Sequence, residues 1–278
     1  MGVVLLGIIL HILLGSADVA NSFSLRLFCW TLLGLAAAAF VYRTLLPRLF
    51  IRKFHYRIKM VTTPAKGVTR IVMEPVGRPM PFTSGQFVFV SFRLRGFPRE
   101  WHPFSISSNS ADYGLALTVK ALGSYTTRLT SIGKAMNGTD VWIEGAYGRF
   151  AFKNFSYKRQ VWVAGGIGIT PFLSMIPEVT RDYQVDLYYS VKSADELMDW
   201  RFLQHIANSS EGNVRVIPII TDHDGFLTGK KITELSGQLA GCDILLCGPP
   251  PMMHALTAQL RAQGVAKKHI HSEEFAMS

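Results

Sequence analysis

Cysteine is scarce: three residues, at 29, 242 and 247, in a chain of 278. They share no metal-type spacing, so the closely spaced cysteines of an iron–sulfur cluster are missing. A structural disulfide is not expected of a cytoplasmic domain either. Acidic residues are also few, 19 against 29 Lys and Arg, leaving a formal charge of +10. No internal repeat or low-complexity segment interrupts the chain. The first apolar run, residues 3–14, has no positive stretch ahead of it, which disfavours a secretory signal. At about 1.5 Å per residue it also falls short of a bilayer core of about 30 Å.

What is abundant is apolar surface, 49% of residues, with the excess at the front. Leu27–Leu46 has the length of a transmembrane helix, with Arg43 placed to snorkel near its end. Arg43, Arg48, Arg52, Lys53, Arg57 and Lys59 follow it closely, against Asp18 and Arg26 before it. Positive residues stay on the cytoplasmic side, so the bulk of the chain is expected there as part of an integral membrane protein. Much of the +10 then reflects topology or attraction to anionic lipid, and no nucleic-acid partner is expected. The run 3–14 reads as the end of a helix that begins earlier. His11 within it is either a functional intramembrane residue or a histidine packed near the membrane surface. The organisation expected is a membrane segment (1–50) holding the end of one helix and one full span, a β-barrel domain (51–155) and an α/β domain (156–278).

In the second segment six short runs, 56–61, 67–74, 86–92, 103–107, 115–120 and 140–144, are punctuated by Gly and Pro, as in a small antiparallel barrel. Within Trp101–Ser108, apolar Phe104 and Ile106 alternate with hydroxyls at 105 and 107. Pro103 suits a strand opening or an edge. His102, an aromatic ring and clustered hydroxyls are groups that hold a diphosphate, cover a flat ring and bond its edge; a plain strand with one wet face would look similar. Lys120-Ala-Leu-Gly123-Ser-Tyr-Thr126 then joins a strand to a helix expected over 126–136. That is a phosphate-binding junction, or simply an N-capped helix after a loop glycine.

From about residue 156 strands alternate with helices, the pattern of a doubly wound parallel sheet that binds ligands at its carboxyl edge. Gly165-Gly166-Ile167-Gly168-Ile169-Thr170-Pro171 follows the first strand, where a pyrophosphate meets free backbone donors; a tight turn alone would also fit. Cys247-Gly248-Pro249-Pro250-Pro251-Met252 occupies the end of a later strand. Ser190 and Lys192 stand where an acidic residue would bind a ribose diol, and a cation there suits a 2′-phosphate.

His102-Pro-Phe-Ser-Ile-Ser107 resembles the flavin signature of membrane ferric reductases and NADPH oxidases, a branch of the ferredoxin–NADP reductase superfamily. The similarity runs over residues 50–278. It implies FAD in the barrel, with Phe104 over the ring, Ser105 facing its reactive nitrogen, and Gly123 and Thr126 at the diphosphate beside His102. Histidine replaces the commoner arginine there, so weaker FAD retention is expected. Residues 144–150 resemble the family's closing loop, with Ala146 in place of proline. The resemblance also implies NADPH as donor, Cys247 bordering the nicotinamide and Phe275 as a gate over the flavin. The paired haem histidines of the family are not all present: His11 matches one, so haem-bearing helices are expected upstream or on a separate subunit. The acceptor would be a ferric chelate or oxygen.

Overall fold

The computed structural model describes residues 7, 22–44, 52–210 and 212–273. It falls into two compact units, one ending at Arg52 and one from Lys53 onward. His11 and Phe275 lie outside the described residues.

The first unit contains helix α1, Phe23–Thr44. Its sequence has no proline, a run of alanines and leucines, and Arg26 near its start; the Leu25 N–H reaches the Ser22 hydroxyl at 3.4 Å. Phe23–Tyr42 is long and apolar enough to cross a membrane. It is apolar on all sides, a pattern that suits lipid or a protein core but not a half-wet surface helix.

The second unit begins with six antiparallel strands: β1 Lys53–Ala65, β2 Val68–Pro75, β3 Phe87–Phe92, β4 His102–Ser105, β5 Leu115–Lys120 and β6 Asp140–Tyr147, in the order β4-β3-β6-β1-β2-β5. The sheet curls until its edges meet, through a bridge between Ile106 and Leu117 and the Ser107 N–H on the Ala116 carbonyl at 2.8 Å. Alternate residues, among them Ile58, Ile71, Val90 and Leu117, fill the interior. Helix α2, Ser124–Ile132, follows β5 and continues as a 3-10 turn to Met136.

Five parallel strands complete the unit: β7 Arg159–Gly165, β8 Gln184–Val191, β9 Val214–Ile220, β10 Asp243–Cys247 and β11 Ile270–Glu273, in the order β11-β10-β7-β8-β9. Successive residues of β7 face opposite sides. Trp162 and Ala164 pack toward α3 (Thr170–Met175) and α4 (Trp200–Ser209), while Val161 and Val163 pack toward α5 (Gly229–Ser236) and α6 (Pro250–Ala262). Helices therefore cover both faces. The order reverses between β7 and β10, and loops leaving that point have a crevice between them. Val68, Phe150 and Phe152 join the core around Trp162, so the two halves of this unit share an apolar seam.

Candidate active site

β4 pairs with β3 as Phe87↔Ser105, Val88↔Phe104, Phe89↔Pro103 and Val90↔His102. The two-residue period sends Phe104 and Ile106 into the barrel and Pro103, Ser105 and Ser107 to its other face. Phe104 is 8% exposed and meets Phe92 edge-on at 6.4 Å, so it offers a ligand only a rim. The Ser107 hydroxyl accepts from Thr118 at 3.0 Å. The nearly buried Ser105 hydroxyl makes no hydrogen bond among the described residues, and a bound ligand would supply one.

His102 leans on Tyr125, ring centroids 3.6 Å apart, and its Nε2 is 3.0 Å from Glu100. Tyr125 lies in the first turn of α2, where the first intrahelical bond runs from the Thr127 N–H to the Gly123 carbonyl at 2.9 Å. The N–H groups of residues 124–126 precede that bond and point outward. The strand motif and the glycine junction are thus neighbours. Gly123 has nothing within 4 Å of the place a Cβ would take, which leaves room for a phosphate. Thr126 does something local instead: its Oγ1 accepts from the N–H groups of Leu122 and Gly123 at 3.1 and 3.0 Å, fixing the loop. The Tyr125 hydroxyl is buried without a partner, and burial pushes its pKa up. An orphan donor beside free backbone N–H groups fits an anionic cofactor such as FAD. Lys120 is held by Glu196 of the α/β half at 3.1 Å.

The nucleotide loops meet at the switch point. Ala164 of β7 stands beside Cys247 of β10, and Gly165 beside Ser190 of β8. A Cβ on Gly168 would lie 2.2 Å from the Cys247 carbonyl oxygen, and one on Gly165 2.7 Å from both Pro249 and Met252. Only hydrogen fits at either place, so the Gly165–Ile169 turn and the 247–252 turn are pressed together. Gly166 adopts φ +52 with open space above it, a left-handed step that turns successive N–H groups outward. The turn becomes a 3-10 segment, Gly166–Ile169, before α3 starts at Thr170 with Pro171 in its first turn. Ser190 is buried and Lys192 exposed at the end of β8.

Comparison with known proteins agrees with this layout. Residues 53–151 match the family model described as FAD-binding domain, and 162–258 that described as oxidoreductase NAD-binding domain. The chain belongs to the ferredoxin–NADP reductase superfamily. It is 30% identical over 175 residues to the putative respiratory burst oxidase homolog protein G of Arabidopsis thaliana, covering 55% of this chain and 20% of that one. To the toluate 1,2-dioxygenase electron transfer component of Pseudomonas putida it is 26% identical, covering 72% of this chain and 60% of that one. To ferric reduction oxidase 7, chloroplastic, of Arabidopsis thaliana it is 28% identical, covering 53% and 24%. The chain thus spans less than two thirds of each. A ferredoxin NADP+ reductase structure from Neisseria gonorrhoeae superposes with TM-score 0.64 at 23% identity, over 80% of this chain and 98% of that one, which shows a shared fold.

In this superfamily member the two halves also touch through a residue that the motifs did not single out. Glu273, the last residue of β11, is the register partner of Cys247. A Cβ on Gly148 of the barrel half would lie 3.4 Å from its Oε1 and 3.2 Å from the Phe87 ring, and Phe87 pairs with Ser105. Glu273 and Phe87 therefore both border Gly148, and their register partners are Cys247 and Ser105. Burial lifts the Glu273 carboxyl to about 7, and burial, with Glu273 nearby, pushes the Cys247 thiol well above its usual range. Glu273 closes the strand Ile270-His271-Ser272-Glu273, whose local sequence carries no signal that sets this acid apart.

The folded-state value of Glu273 lies above the unfolded one, so the native state holds more protons between the two. Its contribution to stability then falls as pH rises through roughly 4.5 to 7. Glu273→Gln is expected to raise Tm at pH 8 and leave it nearly unchanged at pH 4, by calorimetry. Equal shifts at both would count against a buried, titrating carboxyl.

The interface contributed further residues that no motif marks. Arg70 makes a two-pronged pair with Asp199 of the α/β half and donates its Nε to Thr118 at 3.3 Å. Glu178 gathers the Ser110 hydroxyl at 2.7 Å, Asn109 at 3.2 Å, Lys153 at 2.7 Å and the Ser84 hydroxyl. Among the described residues no cluster of His, Cys, Asp or Glu is arranged to hold a metal ion.

Proposed function

We propose that this chain is a membrane-bound flavoprotein oxidoreductase that accepts hydride from NADPH onto FAD and passes single electrons toward a haem carrier and a ferric acceptor across the membrane. The observation that supports this most is that Glu273 and Phe87, register partners of Cys247 and Ser105, both border Gly148, an arrangement in which a nicotinamide at Cys247 and a flavin at Ser105 would adjoin. Hydride transfer needs two rings in contact, and positioning of this kind supplies much of the rate.

FAD, when bound, supplies the conversion of a two-electron donor into one-electron steps. The chain does the rest. The first turn of α2, with Gly123, Tyr125 and His102, takes the flavin diphosphate, and Ser105 bonds the edge of the ring while Pro103, Phe104, Ile106 and Ser107 shape its strand. Gly165–Pro171 takes the pyrophosphate of NADPH, Ser190 and Lys192 its 2′-phosphate, and Cys247–Met252 the nicotinamide. The buried Cys247 thiol stays protonated and offers no competing nucleophile. Phe275 would gate the flavin.

α1 fits the membrane anchor, and the basic residues after it support a cytoplasmic catalytic unit. α1 carries no histidine and so offers no haem ligand of its own. Haem-bearing helices elsewhere in the assembly would receive the electrons, with His11 a candidate ligand. The direct test is anaerobic mixing of FAD-loaded protein with NADPH. Flavin absorbance is expected to bleach, faster with NADPH than with NADH; a chain that stays colourless when supplied with FAD overturns the proposal. Oxygen is the second acceptor class, because a respiratory burst oxidase homolog is among the relatives. Ferric-chelate reduction against superoxide yield at equal NADPH separates the two.

Neutral histidine holds an anion less firmly than the guanidinium that usually stands at position 102. Purified protein is expected to lose measurable FAD on prolonged dialysis, and His102→Arg to retain it better. Stoichiometric FAD through extensive dialysis of the unaltered protein would contradict this.

A further inference from the structure

We propose that the arginine-rich β3–β4 loop, Arg93 to Trp101, is a docking surface for an anionic lipid membrane, which fixes how the flavin-binding barrel stands on the bilayer. The inference rests on the reading of α1 as a membrane span.

The loop reads Arg-Leu-Arg-Gly-Phe-Pro-Arg-Glu-Trp. Arg93, Arg95 and Arg99 are exposed and have no ion-pair partner among the described residues, whereas Arg57, Lys59, Arg70 and Arg215 of the same unit are each paired with a carboxylate. Glu100, the loop's one acid, is engaged by His102 at 3.0 Å. Three unneutralised guanidiniums within seven residues concentrate positive charge on one exposed loop, which attracts an anionic surface.

The loop is also held in shape. Phe97 is 6% exposed and packs edge-on against Tyr125 at 4.9 Å; the Arg128 guanidinium lies over its ring at 5.5 Å and bonds the Gly96 carbonyl. With its apolar residue anchored inward, the charged side chains are left outward. At the other end the Lys53 ammonium stands 5.2 Å from the centroid of the Trp101 ring. Lys53 is the first residue of β1, and residues 45–52 alone separate it from Thr44, the end of α1. An extended chain covers at most about 3.5 Å per residue, so the eight residues 45–52 form a short covalent leash between α1 and the strand whose first residue meets Trp101. That leash, a partly buried tryptophan and unpaired arginines are what a lipid headgroup layer binds. An acidic protein would match the charge but not the tether.

The test uses the full chain, loaded with FAD, in nanodiscs of phosphatidylcholine alone or mixed with phosphatidylserine, read by hydrogen exchange of peptides covering 93–101. Exchange is expected to be roughly tenfold slower in the anionic discs and to return toward the neutral-disc rate in high salt. The R93Q/R95Q/R99Q variant, which keeps every paired residue and its flavin spectrum, is expected to exchange alike in both discs. Equal exchange of the unaltered loop in both discs overturns the proposal, and so does protection that ignores salt, which would point to a protein or cofactor contact. A chain recovered free of lipid overturns the membrane anchor itself, a separate failure seen before any exchange is measured.

Discussion

Gly168→Ala is expected to lower the saturating rate of flavin bleaching by NADPH about 100-fold while FAD content stays near that of the unaltered protein. The methyl group would arrive 2.2 Å from the Cys247 carbonyl oxygen, 2.5 Å from its carbon and 2.8 Å from the Gly248 nitrogen. All three are backbone atoms, which cannot rotate away as a side-chain tip would. The two turns must separate, and they are the turns proposed to hold the pyrophosphate and the nicotinamide; a displacement near 1 Å at reacting groups costs on the order of 10²-fold. Gly166→Ala is the informative contrast. Its Cβ would meet nothing within 4 Å, so it carries only the left-handed penalty of about 1–2 kcal/mol and intrudes on the space proposed for pyrophosphate. It is expected to raise the KM for NADPH and spare the saturating rate. Stopped-flow bleaching at a series of NADPH concentrations resolves the two. A Gly168→Ala protein that bleaches at the normal rate would show that the turns do not place the nicotinamide.

The asymmetry between those glycines also shows where sequence reading reached its limit. A glycine run after an apolar strand announces a tight turn, but which glycine is indispensable depends on Cys247, which arrives from β10 far along the chain. Strands were the easier part: the six barrel runs and the alternation of strands and helices appear where period and punctuation put them. β1 is the instructive exception. It spans Lys53–Ala65, longer than the 56–61 run, because Lys53–Arg57 pairs with β6 and Tyr56–Ala65 with β2, with a register shift between Ile58 and Met60. Cross-strand partners stabilise segments such as Thr62–Ala65 that have no alternation of their own. The helix expected over 126–136 begins two residues earlier and tightens to a 3-10 turn from Gly133. Least legible was the interface. Arg70 meets Asp199 across 129 positions, and Lys120, a candidate for a cofactor phosphate, is instead held by Glu196 because folding brings that acid to 3.1 Å. No local pattern encodes such pairs.

Asp243→Ala is expected to lower Tm by roughly 10 °C, the largest stability loss of any single change outside the apolar core. Asp243 opens β10 and is 1% exposed. Its carboxylate accepts from the Tyr157 N–H at 2.7 Å, His269 Nδ1 at 2.9 Å and His271 Nε2 at 3.0 Å. His271 stacks on Phe155 at 3.8 Å and His269 leans on Tyr157 at 4.8 Å. One buried acid therefore ties together β10, the strand β11 that ends at Glu273, and the segment linking the two halves. Removing it leaves three donors without an acceptor, at a cost of about 3–4 kcal/mol. In a unit of this size each kcal/mol moves Tm by about 2–4 °C. Burial alone would raise the pKa of Asp243, but the Tyr157 N–H and the two imidazoles outweigh it and hold the group below 3.8. The stabilisation is then complete above the unfolded value and is lost as pH falls through the folded one. The gap in Tm between the unaltered protein and Asp243→Ala is expected to be full at pH 7 and to shrink below pH 4. Asp243→Asn keeps an oxygen for Tyr157 but no charge, and should fall between the two. Because β11 positions Glu273 beside Cys247, the alanine variant is also expected to bleach more slowly with NADPH at temperatures where it is still folded. A Tm within about 2 °C of the unaltered protein at pH 7 would mean that water replaces the carboxylate and that the site is less enclosed than its hydrogen bonds imply.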